Sequence, residues 1–485
     1  MAEGRSRVVG DAALSTLGML MSGGAQFVLS VVVGRVFGPG TLGAVRGALS
    51  LANTASLLWP SAAGQSASLF VARELAADRA EVAGQVERHL TLRVALAVLV
   101  LAPTMALASV FVLGLGWGDA AWVAALVVAL GAYQIARGIR FGRARVRMAT
   151  VAEAANAVLG VALLAVVAWL HLPGWLLGPL VVGNAAYAVG VLWQALRGAA
   201  GMDPSLRREL DLFVLWGVAG TVASTGLLQL SMVIAKAISA GHDAGLYAAA
   251  ISLATPLSMV ARALSMALFP EMARQLGRQD EAATRAIVDR ATRGLIAVMT
   301  PGFLMLLVVA EPLVTLVYGA GFHGAVEPLR ILLVAVLITT IPVAAVNSIN
   351  VRGRAGVRLS ALLSWVGLLL GLGLMAVLHG PFGITGVAWG YLSGVSATAL
   401  VAFGLVWRRD QQRWAWPTLA LLLAVGVAVA WAELGIATSS WSGSLLGVVV
   451  FAVVWSPVAR QLLRPRHGPG PRVSTGNAAM TEEDG

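Results

Sequence analysis

The sequence predicts an all-α polytopic membrane protein with about 14 transmembrane helices, arranged as two parallel six-helix lobes plus two C-terminal helices. Three observations predict it. The chain is 58% hydrophobic and 12% charged, with a mean hydropathy of +0.83, whereas a soluble domain needs roughly 25% charged residues to face water. Apolar runs long enough to cross about 30 Å of hydrocarbon recur along almost the whole chain. The cations between those runs collect on alternate loops, as the positive-inside rule requires.

Taken in order, the apolar runs fall at about 12–34, 43–71, 94–115, 119–136, 150–170, 174–195, 211–236, 245–269, 294–318, 326–347, 359–379, 383–407, 416–436 and 442–463. With the N-terminus inside, 29 of the 34 cations lie on inner segments. The other five, Arg35, Arg46, Lys236, Arg262 and Arg330, lie in spans or at their ends. An odd number of spans would destroy that asymmetry, so both termini are expected to be cytoplasmic. The run from about Ala12 exceeds a signal-peptide core and has no cleavage site before it, so no removable leader is expected. Trp407, Trp414 and Trp416 bracket Arg408, Arg409 and Arg413 as an interfacial aromatic belt would. Residues 465–485, rich in Gly, Pro and polar types, read as a disordered cytoplasmic tail. Lys236 is the sole lysine and alanine is abundant. That composition suggests a GC-rich bacterial genome, and hence the bacterial plasma membrane.

The chain also repeats itself. A shift of about 201 residues lays Leu29–Arg35 over Leu230–Lys236. With one inserted residue, Gly43 falls on Gly245, and Ala72-Arg73-Glu74-Leu75 falls on Ala273-Arg274-Gln275-Leu276. Six spans separate the copies, so both run in the same direction. The domains expected are residues 1–200 and 201–410 as the two six-helix lobes, with 411–464 as two added helices. Two lobes related by an axis along the membrane normal suit alternating access.

Ionisable groups within spans are costly and usually face a cavity or a partner. Arg262 shares a helical face with Thr255, Ser258 and Ser265, beside a kink at Pro256. It is expected to line a cavity, with snorkelling to headgroups as the competing reading. Lys236 shares a face with Thr225 and Gln229, and its repeat mate is Arg35; both sit near the outer boundary, where snorkelling competes. Arg46 shares a stripe with Ser50 and Asn53 and is expected in the cavity. Arg330, three residues after Glu327, reads as an interfacial ion pair. Glu311 is the main carboxylate within a span. Proton or sodium coupling and pairing with an outer cation are both open to it. Gln65 and Asn347 add hydrogen-bonding groups of the kind that often join helices. Four or five cations against one carboxylate make a positive cavity, suited to an anionic substrate; arginine forks grip phosphate oxygens well.

Much is excluded. There are no cysteines, hence no disulfide or thiolate chemistry. The only lysine follows Ala235, so there is no phosphate-binding P-loop. No H-E-x-x-H or G-x-S-x-G occurs, and the six histidines are scattered. No enzyme, cofactor or metal is expected. The basic excess is loop charge and implies no nucleic-acid partner.

Four stretches carry a family resemblance. They are Gly34-Arg35-Val36-Phe37-Gly38-Pro39-Gly40 with Gly43, Gly241–Tyr247 with Phe269-Pro270, Val317–Phe322, and Gly380–Ala388. In order and spacing the chain resembles the multidrug/oligosaccharidyl-lipid/polysaccharide exporter superfamily, particularly its oligosaccharide and lipid II flippases. The resemblance implies a flippase moving an undecaprenyl-pyrophosphate-linked oligosaccharide or polysaccharide precursor from the inner to the outer leaflet. For such a substrate, the intramembrane cations Arg262 and Arg46, helped by Lys236 and Arg35, are expected to bind the pyrophosphate, with Asn53, Gln229 and Thr255 on the same helical faces. Membrane lipids are then partners, together with a glycan polymerase or glycosyltransferases of the same pathway. Lipid II flippases carry arginines deeper in helices 1 and 2, where this chain reads apolar, which favours another lipid-linked saccharide. A lipid II flippase and a multidrug/cation antiporter are the alternatives within transport. A membrane glycan polymerase and an inert scaffold are those outside it.

Overall fold

The structure is a computed structural model that describes residues 2–239, 241–278, 280–433 and 441–464. Side chains are outside the description at 2–17, 19, 260–264, 266, 267, 269, 270, 273, 277, 354, 433 and 441. The tail expected to be disordered, 465–485, lies outside the described residues. Among the described residues there is no strand.

Helix α1 spans Ala2–Leu58, 57 residues, or about 85 Å if straight, far more than a bilayer's hydrocarbon. Gly38 breaks it with a φ of +83° that side-chain-bearing residues avoid, and Pro39 follows with no N–H for the next turn. The first crossing ends there and the second begins. Helix α2 (Pro60–Ala76) continues that second crossing after Trp59, with proline at its first position.

Four helices follow: α3 (Ala80–Phe111), α4 (Trp117–Gly142), α5 (Val146–Trp169) and α6 (Gly178–Leu196). Next are α7 (Pro204–Ile238), capped by the Asp203 side chain, and α8 (Gly241–Gly277). Two expected spans come in pieces. One is α9 (Glu281–Val308) with α10 (Ala310–Tyr318); the other is α11 (Val326–Thr340) with α12 (Val343–Asn350). Helix α13 (Arg354–Arg409) breaks at Gly383, two residues after Pro381, and so holds two crossings. Helices α14 (Ala415–Glu433) and α15 (Trp441–Leu463) complete the fold.

Among the described residues, 11 helical stretches are long and apolar enough to cross a membrane. Two of them, Leu20–Leu58 and Ala355–Arg409, are doubled by their glycine breaks, and the 37-residue α8 adds another. About fourteen crossings result. Large apolar side chains such as Leu99, Phe111 and Trp169 face outward on these helices, where lipid tails replace water as the solvent.

Helices α1 to α6 pack on one another, α7 packs on α13, and α11 joins α8 to α13. Helix α1 also packs on α7 and α8, and α2 on α7. Helices α14 and α15 pack on α9: Trp455 donates to the Ala297 carbonyl at 3.0 Å. Trp414 departs from the expected aromatic belt. It is fully buried, stacked on Phe403 at 4.6 Å, and donates to Asp289 at 2.9 Å. Its indole N–H has found a partner inside the protein instead of at the headgroups.

Many of the arginines at the ends of spans are pinned to buried acids. Arg143 grips Glu87 with two bonds of 2.6 Å, and Arg79 reaches Glu74 at 2.7 Å. Glu87 and Glu74 are both about 1% exposed. The Glu87 carboxylate raises the pKa of the Arg143 guanidinium, which holds its charge more firmly in the fold.

Candidate functional site

A cavity of about 640 Å³ lies between α1, α4, α5 and α6 on one side and α7 and α8 on the other. Helix α1 supplies Arg46, Ser50 and Asn53, the stripe read from their spacing. Arg46 is partly buried, and its Nε has no hydrogen-bond partner among the described residues. A buried guanidinium donor without an acceptor is costly, and among the described residues nothing on the surrounding helices offsets that cost at the Arg46 Nε. Helix α7 adds Thr225 and Gln229, and α8 adds Thr255 and Ser258 around Pro256. The Thr255 and Ser258 hydroxyls donate back to the Ile251 and Thr255 carbonyls, at 2.6 and 2.7 Å. Their oxygens therefore face the cavity as acceptors.

The wall opposite α8 carries polar groups that the sequence reading assigned to a loop or passed over. Arg137 of α4 donates to Glu153 of α5 at 2.6 Å, and the Glu153 side chain is 2% exposed. Tyr133 donates to the same carboxylate oxygen at 3.4 Å. The other oxygen of Glu153 abuts Gly18 of α1 and has no hydrogen-bond partner among the described residues. Arg140 lies 4.1 Å over the Tyr187 ring, and Tyr187 packs 4.8 Å from Tyr133. Asn156 and Asn184 complete this wall, 3.5 Å apart. A signal did exist: Tyr133, Arg137 and Arg140 share one helical face, as do Glu153 and Asn156. Arg137 looks like a loop residue because the apolar run ends at 136.

Of the expected site residues, the structure brings Arg46, Asn53, Gln229 and Thr255 into this cavity. Arg262 lies on α8 with its side chain outside the described residues. Arg35 and Lys236 do not line the cavity. Arg35 instead donates to the Val317 carbonyl at 2.7 Å and to the Leu316 carbonyl, capping the last turn of α10, where a cation meets the negative helix end. The Lys236 stem lies over Gly47 of α1, its methylenes about 3 Å from where a side chain there would begin.

Glu311 is not on the cavity either. Its carboxylate lies 3.2 Å from the His323 Nε2 in the segment after α10. Arg330 makes no ion pair with Glu327; Glu327 instead accepts from Thr385 at 3.5 Å. The expected ion pair is therefore corrected, because Glu327 is turned toward α13. Asn347 exchanges bonds with Ser265 at 2.9 and 3.0 Å and joins α12 to α8. The charge balance also differs from expectation: among the described residues the lining holds Arg46 and Arg137 against Glu153, a single net positive charge.

At the far end of α7 the two halves of the chain touch backbone to backbone. A Cβ built on Gly43 would lie 2.7 Å from both the Gly241 oxygen and the Gly245 nitrogen, and one on Gly245 would overlap the Pro39 carbonyl. Any side chain at either glycine would push α1 and α8 apart.

Comparison with known proteins agrees with this geometry. Residues 195–347 match the family model described as lipid II flippase MurJ. The fold matches a structure of lipid II flippase MurJ in an inward closed conformation, with TM-score 0.70 and 11% identity over 93% of this chain and 100% of that one. It also matches an inward-facing multidrug resistance MATE family transporter of the MOP superfamily, with TM-score 0.63 and 16% identity over 82% of this chain and 94% of the other. An outward-facing structure of a MATE family transporter of the MOP superfamily matches with TM-score 0.56, at 15% identity over 83% and 95%. No curated protein matches by sequence. The chain is thus a multi-pass membrane protein with a transporter fold.

Proposed function

We propose that this protein is a flippase that moves an undecaprenyl-pyrophosphate-linked oligosaccharide or polysaccharide precursor between the leaflets of the bacterial plasma membrane by alternating access. The observation that carries it is the polar cavity between the two halves of the chain, with the Arg46 guanidinium in its wall. Residues 1–200 and 201–410 are taken as the rocking lobes, and 411–464 as two added helices. The polar lining is rich in hydroxyls and amides, Ser50, Asn53, Gln229, Thr255 and Ser258 among them, which suits a saccharide. A bare polyprenyl chain would gain nothing from such groups and would stay in the bilayer. Arg46 with Arg262 would hold the pyrophosphate, arginine forks being well matched to phosphate oxygens. Both termini are taken as cytoplasmic from the cation distribution, which puts the contact of Gly43 with Gly245 on the outer side.

The family-model match over part of the chain and the shared fold support a lipid-linked substrate. The choice of a saccharide other than the peptidoglycan precursor rests on the apolar reading of helix 1 alone, since Arg46 stands in the second crossing and lines the cavity. The test is mass spectrometry of polyprenyl-linked lipids after depletion of this protein, with rescue by wild type, Arg46→Ala and Arg262→Ala in parallel. Accumulation of one lipid-linked glycan that only wild type clears is the expected result; no accumulation sinks the reading.

Glu153 favours a second reading. It is the one carboxylate among the described residues that lines the cavity, and a multidrug/cation antiporter needs such a group. Proton-driven efflux of cationic dyes from vesicles, lost in Glu153→Gln, together with unchanged polyprenyl lipids would select it.

A further inference from the structure

A second pocket, of about 520 Å³, lies apart from the central cavity. Trp59, Arg93, Arg207, Arg208, Asp211 and Leu215 line it. The apolar runs of spans 3 and 7 begin at about 94 and 211, so Arg93, Arg207 and Arg208 stand at one membrane boundary while Leu212 and Leu215 stand within the hydrocarbon. The pocket is therefore a groove between α3 and α7, backed by the junction of α1 and α2, with a cationic rim and an apolar floor.

Its charges are unevenly spent. Asp211 is engaged twice, by His89 and Arg93, each at 2.9 Å. Glu209, the nearest other acid on α7, is taken by Arg73 at 2.9 Å. Arg207 and Arg208 are exposed and have no ion-pair partner among the described residues. Arginines at the boundary with leucines below them match the plan of a phospholipid: an anionic phosphate above and acyl chains beneath.

The geometry points to a binding site for the phosphate of an anionic membrane phospholipid, held by Arg207 and Arg208 with its chains along Leu212 and Leu215. Free phosphate shares the headgroup chemistry but would leave the apolar floor unused. The site stands whether or not the central cavity carries a lipid-linked saccharide.

The experiment is native mass spectrometry of the purified full chain with added phosphatidylglycerol, phosphatidylcholine or inorganic phosphate. Wild type is expected to retain phosphatidylglycerol over phosphatidylcholine, with millimolar phosphate failing to displace it. Arg207→Ala with Arg208→Ala should weaken retention about thirtyfold. Arg207→Lys with Arg208→Lys, which keeps the charge, should hold most of it. The control pair Arg460→Ala with Arg464→Ala removes as much charge elsewhere and should change little. Equal retention of the two lipids by wild type overturns the site, a readout needing no variant to fold. So does displacement by free phosphate, an unweakened alanine pair, or an equal loss in the control pair.

Discussion

Gly43 and Gly245, which the internal repeat sets at equivalent positions, meet backbone to backbone: a Cβ on Gly43 would lie 2.7 Å from the Gly245 nitrogen. Equivalent residues touch each other only beside the symmetry axis that relates their copies. The two-lobe arrangement proposed from the repeat would therefore pass its pseudo-twofold beside this contact. The contact also explains the glycines, since no side chain fits between α1 and α8 there.

If that contact is the outer gate, Gly245→Ala should prop it open. The natural absence of cysteine allows a clean reporter, Gln229→Cys, on the cavity wall. We expect a charged, membrane-impermeant maleimide added outside to label it several-fold faster in Gly245→Ala than with glycine retained. Alanine is the better helix former by roughly 0.5–1 kcal/mol, so intrinsic propensity cannot account for an opening. Unchanged labelling in a folded protein would show that the contact does not gate the cavity.

Arg46 should tolerate neither loss nor simplification. Arg46→Ala removes the guanidinium from the cavity wall, and we expect flipping to fall at least tenfold, the value of one charge-assisted bond of about 1.5–3 kcal/mol. Arg46→Lys keeps the charge but loses the planar fork, and should recover only part of that. Leaflet-resolved assay of the accumulated lipid-linked glycan reads both. Full activity in the alanine variant would remove Arg46 from the substrate path.

Arg137 and Glu153 should behave as a unit. Glu153 is almost fully buried beside its partner, so Arg137→Ala strands a carboxylate and should cost about 3 kcal/mol. Removing both charges should cost less than the two single losses together. A double-mutant cycle on unfolding free energy measures the coupling; additive losses would mean the pair is not coupled.

How much of this was legible in the sequence follows from what hydropathy can see. The two glycine–proline turns at Gly38-Pro39 and Pro381–Gly383 stand out, and so the doubled helices α1 and α13 were resolved into four spans. The breaks after Val308 and Thr340 were not visible, because the apolar runs continue through them. The stripe of Arg46, Ser50 and Asn53 followed from helical spacing alone. Arg137 did not, because a charge at the edge of an apolar run looks like loop, and only the fold brings Glu153 to it from the next helix. Trp414 was misread for the opposite reason: its neighbours in sequence are arginines, but its neighbours in space are Phe403 and Asp289. Charge and period are local properties, whereas pairing across helices is not.

Arg35 separates structure from binding most sharply. The repeat pairs it with Lys236, and as a cation at the outer end of a span it reads as a ligand or a snorkelling group, but its guanidinium is committed to the carbonyls that end α10. Those carbonyls belong to the last turn, where no intrahelical donor remains. Arg35→Ala should therefore destabilise the fold by about 1–2 kcal/mol and lower the thermal midpoint, while leaving substrate affinity in the surviving folded protein unchanged. Arg46→Ala should do the reverse. Measuring midpoint and binding for both variants tests the assignment. Loss of affinity without loss of stability in Arg35→Ala would return that arginine to the substrate path.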